Sequence, residues 1–267
     1  MPASWGARDG TRLGYEVVGR GSRTITCLHS LALDGSWFLP LAAELGSDYR
    51  VILPDLRGHG TSDSGPLPLS LAQMADDVIA LWDRLGVDSS VVVGISMGGM
   101  VAQALATTAP DRVEALVLIA TAGSYDDGAR TAALARAAAA RRPGGIEQMT
   151  PVLLQRWFGA EPSELVDRAR GELSSADPEV HASCLESMTQ VGSIDLDGVT
   201  APTLVLGGRD DLSTPRPVVE ALADAIPGAV LDMVPGAHLT AFTHPREVAE
   251  RIRSFVGVPA ATSPTPS

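Results

Sequence analysis

The sequence predicts an α/β fold, a mostly parallel central sheet with helices on both faces and an inserted helical cap. Three observations carry this. Short β-branched runs alternate with amphipathic helical stretches across residues 11–120, the pattern of strands covered on both faces. The alternation stops over residues 121–198, which hold no β-branched run, and resumes at Thr203. At its centre stands Val91-Val92-Val93-Gly94-Ile95-Ser96-Met97-Gly98-Gly99-Met100. Here a buried-strand run meets Gly-x-Ser-x-Gly and continues into an apolar helical stretch.

In chain order, residues 11–18 and 24–28 read as strands around the turn Gly19-Arg20-Gly21-Ser22. A loop over 29–35 follows, then helical spacing over 36–45, with Ser36 placed to cap it. Residues 49–55 form a strand that enters the polar, Gly-rich loop Leu56-Arg57-Gly58-His59-Gly60-Thr61-Ser62-Asp63. Residues 70–85 are the clearest amphipathic helix. Ser70 caps it, Gly86 ends it, and Leu71, Met74, Val78, Leu81, Trp82 and Leu85 recur at three- and four-residue spacing. The helix after Ser96 closes at Pro110, and 113–120 is a further strand. Within 121–198 lie an Ala/Arg tract (129–142), the breaker Pro143-Gly144-Gly145, and amphipathic pieces at 146–158, 163–173 and 178–190. Alanine's helix propensity accounts for the tract by itself. Strands at 203–207 and 229–234 and helices at 215–226 and 245–256 complete the pattern. The expected division is a core of residues 1–120 and 199–258, a helical cap of 121–198, and a disordered Pro/Ser/Thr-rich tail at 259–267.

Composition removes several function classes. The formal net charge of −12 over 267 residues argues against nucleic acid as a partner, since phosphate binding needs a basic face. No apolar run approaches the ~18 residues of a membrane span. The first ten residues contain Arg8 and Asp9 and no apolar stretch, so no secretory leader is expected. Every basic residue is Arg, which excludes Schiff-base, pyridoxal-phosphate and P-loop lysine chemistry. Cys27 and Cys184 are the only cysteines and fit no metal-ligand spacing. A reducing cytoplasmic setting and a small-molecule partner are expected, with no cofactor and no metal.

The chemistry centres on Ser96. A strand turning sharply into a helix exposes the residue at the tip, and Gly94 and Gly98 let neighbouring backbone pass close by. The helix N-terminus favours negative charge there. A serine hydroxyl needs a base to take its proton and an acid to orient that base. His29 and His59 lie in loops before Ser96, and His181 lies in the inserted region. His238 follows the last strand and His244 heads the last helix. Acid candidates are the adjacent Asp210 and Asp211 after strand 203–207, and Asp126 after the preceding strand. An oxyanion needs two backbone donors. They are expected from Met97, next to the nucleophile, and from Leu31, in the loop after Leu28. Asp55, Arg57 and His59 read as a hydrogen-bonded loop brace.

The chain resembles the α/β-hydrolase superfamily, and within it the 3-oxoadipate enol-lactonase group. The general likeness rests on Asp55-Leu56-Arg57-Gly58-His59-Gly60-Thr61-Ser62 and on the order Ser96, Asp211, His238. The narrower likeness rests on Gly94-Ile95-Ser96-Met97-Gly98-Gly99-Met100-Val101-Ala102-Gln103 and Pro110-Asp111-Arg112-Val113-Glu114-Ala115-Leu116-Val117-Leu118. Arg156-Trp157-Phe158, Asp177-Pro178-Glu179-Val180-His181-Ala182-Ser183-Cys184 and Ala201-Pro202-Thr203-Leu204-Val205 add to it. The likeness spans residues 11–257. It implies His238 as the base, in the loop after the final strand. It implies Asp211 as the acid, because Gly208-x-x-Asp211 and Asp211-x-x-x-Pro215 match the fold's usual spacing. Two stretches depart from the lactonases: His29-Ser30-Leu31-Ala32-Leu33, where an Asn-Ser-Leu-Gly-like run is usual, and His244-Pro245, where an acidic residue or Gln precedes the Pro.

The expected activity is hydrolysis of a carboxylic ester or lactone through an acyl-enzyme. Arg156 is the candidate cation for a substrate carboxylate, and Trp157 a candidate pocket wall. A carboxylesterase or methylesterase of larger metabolites, a carbon–carbon bond hydrolase, and a non-hydrolytic ligand-binding protein use the same scaffold and stand as alternatives.

Overall fold

The computed structural model describes residues 3–159 and 163–257. The tail expected at 259–267 lies outside them. The chain opens with β1 (Ala3–Gly6), β2 (Arg12–Val18), β3 (Arg23–Leu28), α1 (Leu39–Leu45), β4 (Tyr49–Pro54), α2 (Leu71–Leu85) and β5 (Ser90–Ile95). It continues through α3 (Met97–Thr108) and β6 (Val113–Ile119). An inserted run of α4 (Asp127–Ala140), α5 (Gly145–Phe158), α6 (Ser163–Ser175) and α7 (Pro178–Met188) follows. β7 (Thr203–Gly208), α8 (Arg216–Asp224), β8 (Val230–Val234), the short α9 (Thr240–Thr243) and α10 (Pro245–Val256) close the fold.

The sheet order is β1-β2-β4-β3-β5-β6-β7-β8. From β4 to β8 every pairing is parallel, while β1 and β2 run antiparallel at the edge. Parallel strands need crossovers, and helices supply them. All residues of β5 are buried, which is why it reads as a continuous apolar run. β2 and β3 are neighbours in sequence but not in the sheet, because β4 lies between them. The periodicity did not point to β1. Only Trp5 of its residues is buried, with its ring edge-on to Tyr15 at 5.6 Å, and one buried side chain makes no periodic signal.

Local capping follows the sequence with one difference. The Ser70 hydroxyl accepts the Gln73 N–H, and Gly86 ends α2 in the left-handed region at φ 62°. Ahead of α1, Asp34 rather than Ser36 is the cap. Its carboxylate accepts the Ser36 N–H at 2.8 Å, and a 3-10 turn over Gly35–Phe38 leads into the helix. A carboxylate two residues upstream reaches an amide that the Ser36 side chain cannot.

The inserted helices are tied to the rest of the fold at defined points. Ala133, Ala137 and Ala140 form the buried seam of α4, which packs on α7; small side chains let the two helices approach. From α6, Glu172 accepts the Trp37 indole N–H at 2.9 Å. Arg168 lies over the Trp37 ring at 4.2 Å and donates to the Ser36 hydroxyl at 2.6 Å. Among the described residues, no helix is long and apolar enough to cross a membrane.

Candidate active site

Ser96 sits between β5 and α3 with φ 53° and ψ −118°, in a region that L-residues rarely adopt. The surrounding backbone holds it there. The Ser96 N–H donates to the Ile119 carbonyl at 3.0 Å. Its own carbonyl accepts the Thr121 hydroxyl at 2.7 Å and the Gly99 N–H at 3.0 Å. A Cβ at Gly94 would lie 2.4 Å from the Gly98 carbonyl oxygen, and one at Gly98 would lie 2.1 Å from that of Leu28. Glycine is required at both positions because main chain, which cannot move aside, occupies the space.

The end of β8 delivers His238. Its Nε2 is 2.9 Å from Ser96 Oγ, and its Nδ1 is 2.9 Å from Asp211 Oδ2. Asp211 follows β7. Its other oxygen accepts the N–H groups of Ser213 at 2.6 Å and Thr214 at 3.0 Å, and the Thr214 hydroxyl donates to Oδ2 at 2.6 Å. Burial pushes the Asp211 carboxyl up, but the adjacent His238 and the hydrogen bonds from His238 and Thr214 outweigh it and bring it to about 2. Asp210 is exposed and meets Gly236 through its backbone N–H at 3.0 Å, away from the imidazole. Asp126 caps α4, accepting the Ala129 N–H at 2.7 Å. The His244 Nδ1 is 2.9 Å from the Thr243 hydroxyl, at the head of α10.

Met97 is the first residue of α3, where an amide has no carbonyl partner within the helix. Leu31 follows β3 and lines the same cavity as Ser96. Buried His29 holds Leu31's loop in place. Its Nδ1 donates to the Ser30 carbonyl at 2.8 Å, so its Nε2 accepts the Leu56 N–H at 2.8 Å. Burial lowers the His29 pKa, which suits a neutral ring that donates at one nitrogen and accepts at the other. The second loop is braced by Asp55, which accepts from the Gly35 N–H at 2.9 Å and the Thr61 N–H at 2.8 Å. Arg57 is paired with Asp9 at 2.9 Å and Asp77 at 2.5 Å. The His59 Nδ1 donates to the Arg57 carbonyl at 2.8 Å.

The sequence profile of the alpha/beta hydrolase family matches residues 27–251. The chain belongs to the alpha/beta hydrolase family. It is a hydrolase, and its neighbours in sequence and structure agree. A 3-oxoadipate enol-lactonase from Acinetobacter baylyi is 29% identical over 240 residues, 88% of this chain and 89% of its own. A pimeloyl-acyl-carrier-protein methyl ester esterase from Chromobacterium violaceum is 31% identical over 245 residues, 88% of this chain and 94% of its own. The solved enol-lactonase from Burkholderia xenovorans matches with a TM-score of 0.88 at 28% identity, covering 95% of this chain and 99% of that one.

In this alpha/beta hydrolase a cavity of about 330 Å³ opens over Ser96. Leu31, Ser96 and His238 line it, together with Arg136 of α4, Trp157 of α5 and His181 of α7. Trp157 is buried. Arg156 also lines the cavity, but it is exposed and its guanidinium donates to the Leu212 carbonyl at 3.0 Å. Sequence reasoning missed Arg136, Tyr125 and His181 as cavity residues. Arg136 stands in a tract that helix propensity already explained, one position before the buried Ala137. That single long side chain beside an alanine seam was the available signal.

Proposed function

We propose that this chain hydrolyses carboxylic esters and lactones through Ser96, His238 and Asp211. The relay from Ser96 Oγ to His238 Nε2, and from His238 Nδ1 to Asp211 Oδ2, with both contacts at 2.9 Å, carries this reading. Ser96 Oγ attacks the carbonyl carbon while its proton passes to His238 Nε2. The N–H groups of Met97 and Leu31 hold the negative oxygen of the tetrahedral intermediate. Asp211, ionised across the working pH range, accepts from Nδ1–H, which fixes the ring and stabilises its cation. The intermediate collapses, the C–O bond to the leaving group breaks, and His238 gives its proton to the departing oxygen. Water then attacks the acyl-enzyme carbonyl, losing its proton to His238; the C–Oγ bond breaks, His238 returns the proton to Ser96 Oγ, and the acid leaves. No cofactor or metal enters the proposed sequence.

The inserted helices, residues 121–198, act in this reading as a cap that shapes the acyl pocket. The enol-lactonase relatives favour a lactone substrate, in which the leaving oxygen stays tethered to the acyl chain and the released enol becomes a ketone. A methyl ester is the second reading, supported by the Chromobacterium violaceum esterase. A cytoplasmic setting suits the two buried free thiols, Cys27 and Cys184. The test compares wild type and Ser96→Ala on p-nitrophenyl acetate, with a fall in kcat of about 10⁴-fold or more expected. Equal rates would overturn the nucleophile assignment. Release of 3-oxoadipate from its enol-lactone, measured against methanol release from methyl esters, separates the two substrate readings.

A further inference from the structure

The cap contributes one group that the relay does not use. Arg136 points from α4 into the wall of the catalytic cavity. Its Nε is buried with no hydrogen-bond partner among the described residues, and so is Nδ1 of His181, which faces the cavity from α7. The two side chains are neighbours: burial first, and then the Arg136 charge, lower the His181 pKa to about 4. Tyr125 lies nearby, its phenol raised by burial while the Arg136 charge opposes the rise. Arg57 is the contrast within this molecule. It is also buried, but Asp9 and Asp77 neutralise it. A partly buried cation with no counter-charge is costly unless a ligand supplies one. In a protein of net charge −12, such a cation is a local attractor for an anion that the rest of the surface repels.

We propose that Arg136 and His181 form the binding site for a free carboxylate on the substrate, so that this hydrolase selects esters or lactones carrying a second, ionised carboxyl group. The proposal rests on the serine-hydrolase reading above and names its specificity. Arg136 supplies the charge and its planar N–H fork, which matches a carboxylate. His181, kept neutral by burial, supplies one Nδ1–H donor. Arg156, the arginine that the sequence singles out, is engaged by the Leu212 carbonyl and sits at the rim.

The experiment compares two substrates of equal chain length, the p-nitrophenyl monoester of glutaric acid and p-nitrophenyl valerate. Wild type is expected to favour the carboxylate ester by about tenfold or more in kcat/KM. Arg136→Met is expected to bring that ratio close to one, and Arg136→Lys to hold an intermediate value. An unchanged ratio in Arg136→Met overturns the proposal. Binding is measured apart from turnover and needs no variant of Arg136: glutarate should raise the Tm of wild type and of Ser96→Ala, and glutaramide should not. Equal effects of the two overturn the proposal. Glutarate binding with no p-nitrophenol release from either ester upholds the carboxylate site and overturns the serine-hydrolase reading instead.

Discussion

The backbone N–H of Leu239 donates to the carbonyl of Trp157 at 3.0 Å. That bond joins the last turn of α5 to the residue immediately after His238. The inserted helices therefore hold the histidine loop directly, and the Trp157 ring beside it lines the cavity. The position of His238 and the shape of the pocket share one support.

Trp157→Ala is expected to weaken both. The side chain is buried, so its truncation should lower unfolding free energy by about 3 kcal/mol. Urea denaturation checks this. With the loop loosened, kcat should fall as well as KM change, measured on p-nitrophenyl acetate. A variant with wild-type stability and kcat would show that the Leu239–Trp157 bond alone supports the loop.

The strain at Ser96 gives a second expectation. Ser96→Ala and Ser96→Gly both lack the hydroxyl, and neither should turn over substrate. Only Gly adopts φ 53° without steric cost. The relief outweighs the greater chain entropy of unfolded Gly, so Ser96→Gly should exceed Ser96→Ala in stability by about 1 kcal/mol. Paired thermal melts measure the difference, and an Ala variant equal to or above the Gly variant would remove the claim of strain.

Asp211 gives a third, read in two ways. Asp211→Asn should lower kcat by about 10⁴-fold through loss of the imidazole's orientation and charge partner, while Asp210→Asn stays within severalfold of wild type. The reverse ranking would transfer the role to Asp210. Stability carries a separate signature. The folded pKa, about 2, lies below the ordinary 3.8, so ionised Asp211 stabilises the fold above pH 4. That contribution is lost as pH falls through 2. The gap between wild type and Asp211→Asn in unfolding free energy should therefore shrink by about 2 kcal/mol from pH 4 to pH 2. A gap that is constant over this window would show that the carboxylate is not stabilised by its neighbours.

Much of the fold was legible because each signal is local. The β5–Ser96–α3 turn is written in consecutive residues, and the stripe of α2 with its Ser70 cap and Gly86 stop lies within one segment. β1 was not, since it exists as a strand only through its pairing with β2. The replacement of Ser36 by Asp34 as cap needed the actual backbone path.

The site divides in the same way. The alternation of strands and helices, the interruption over 121–198, and the order in which Ser96, the paired aspartates and His238 meet the ends of strands are all readable along the chain. These follow from backbone sterics and side-chain periodicity, which act over a few residues. The spacing to Gly208 and Pro215 already pointed to Asp211 over Asp210, and the folded chain brings it to 2.9 Å from His238. Tertiary contacts alone reveal that His29 clamps the loop of Leu31, and that among the described residues Arg136 has no counter-charge while Arg156 is tied to Leu212. Whether a charge is paired depends on groups brought together from distant parts of the chain, and neither spacing nor composition encodes that distance.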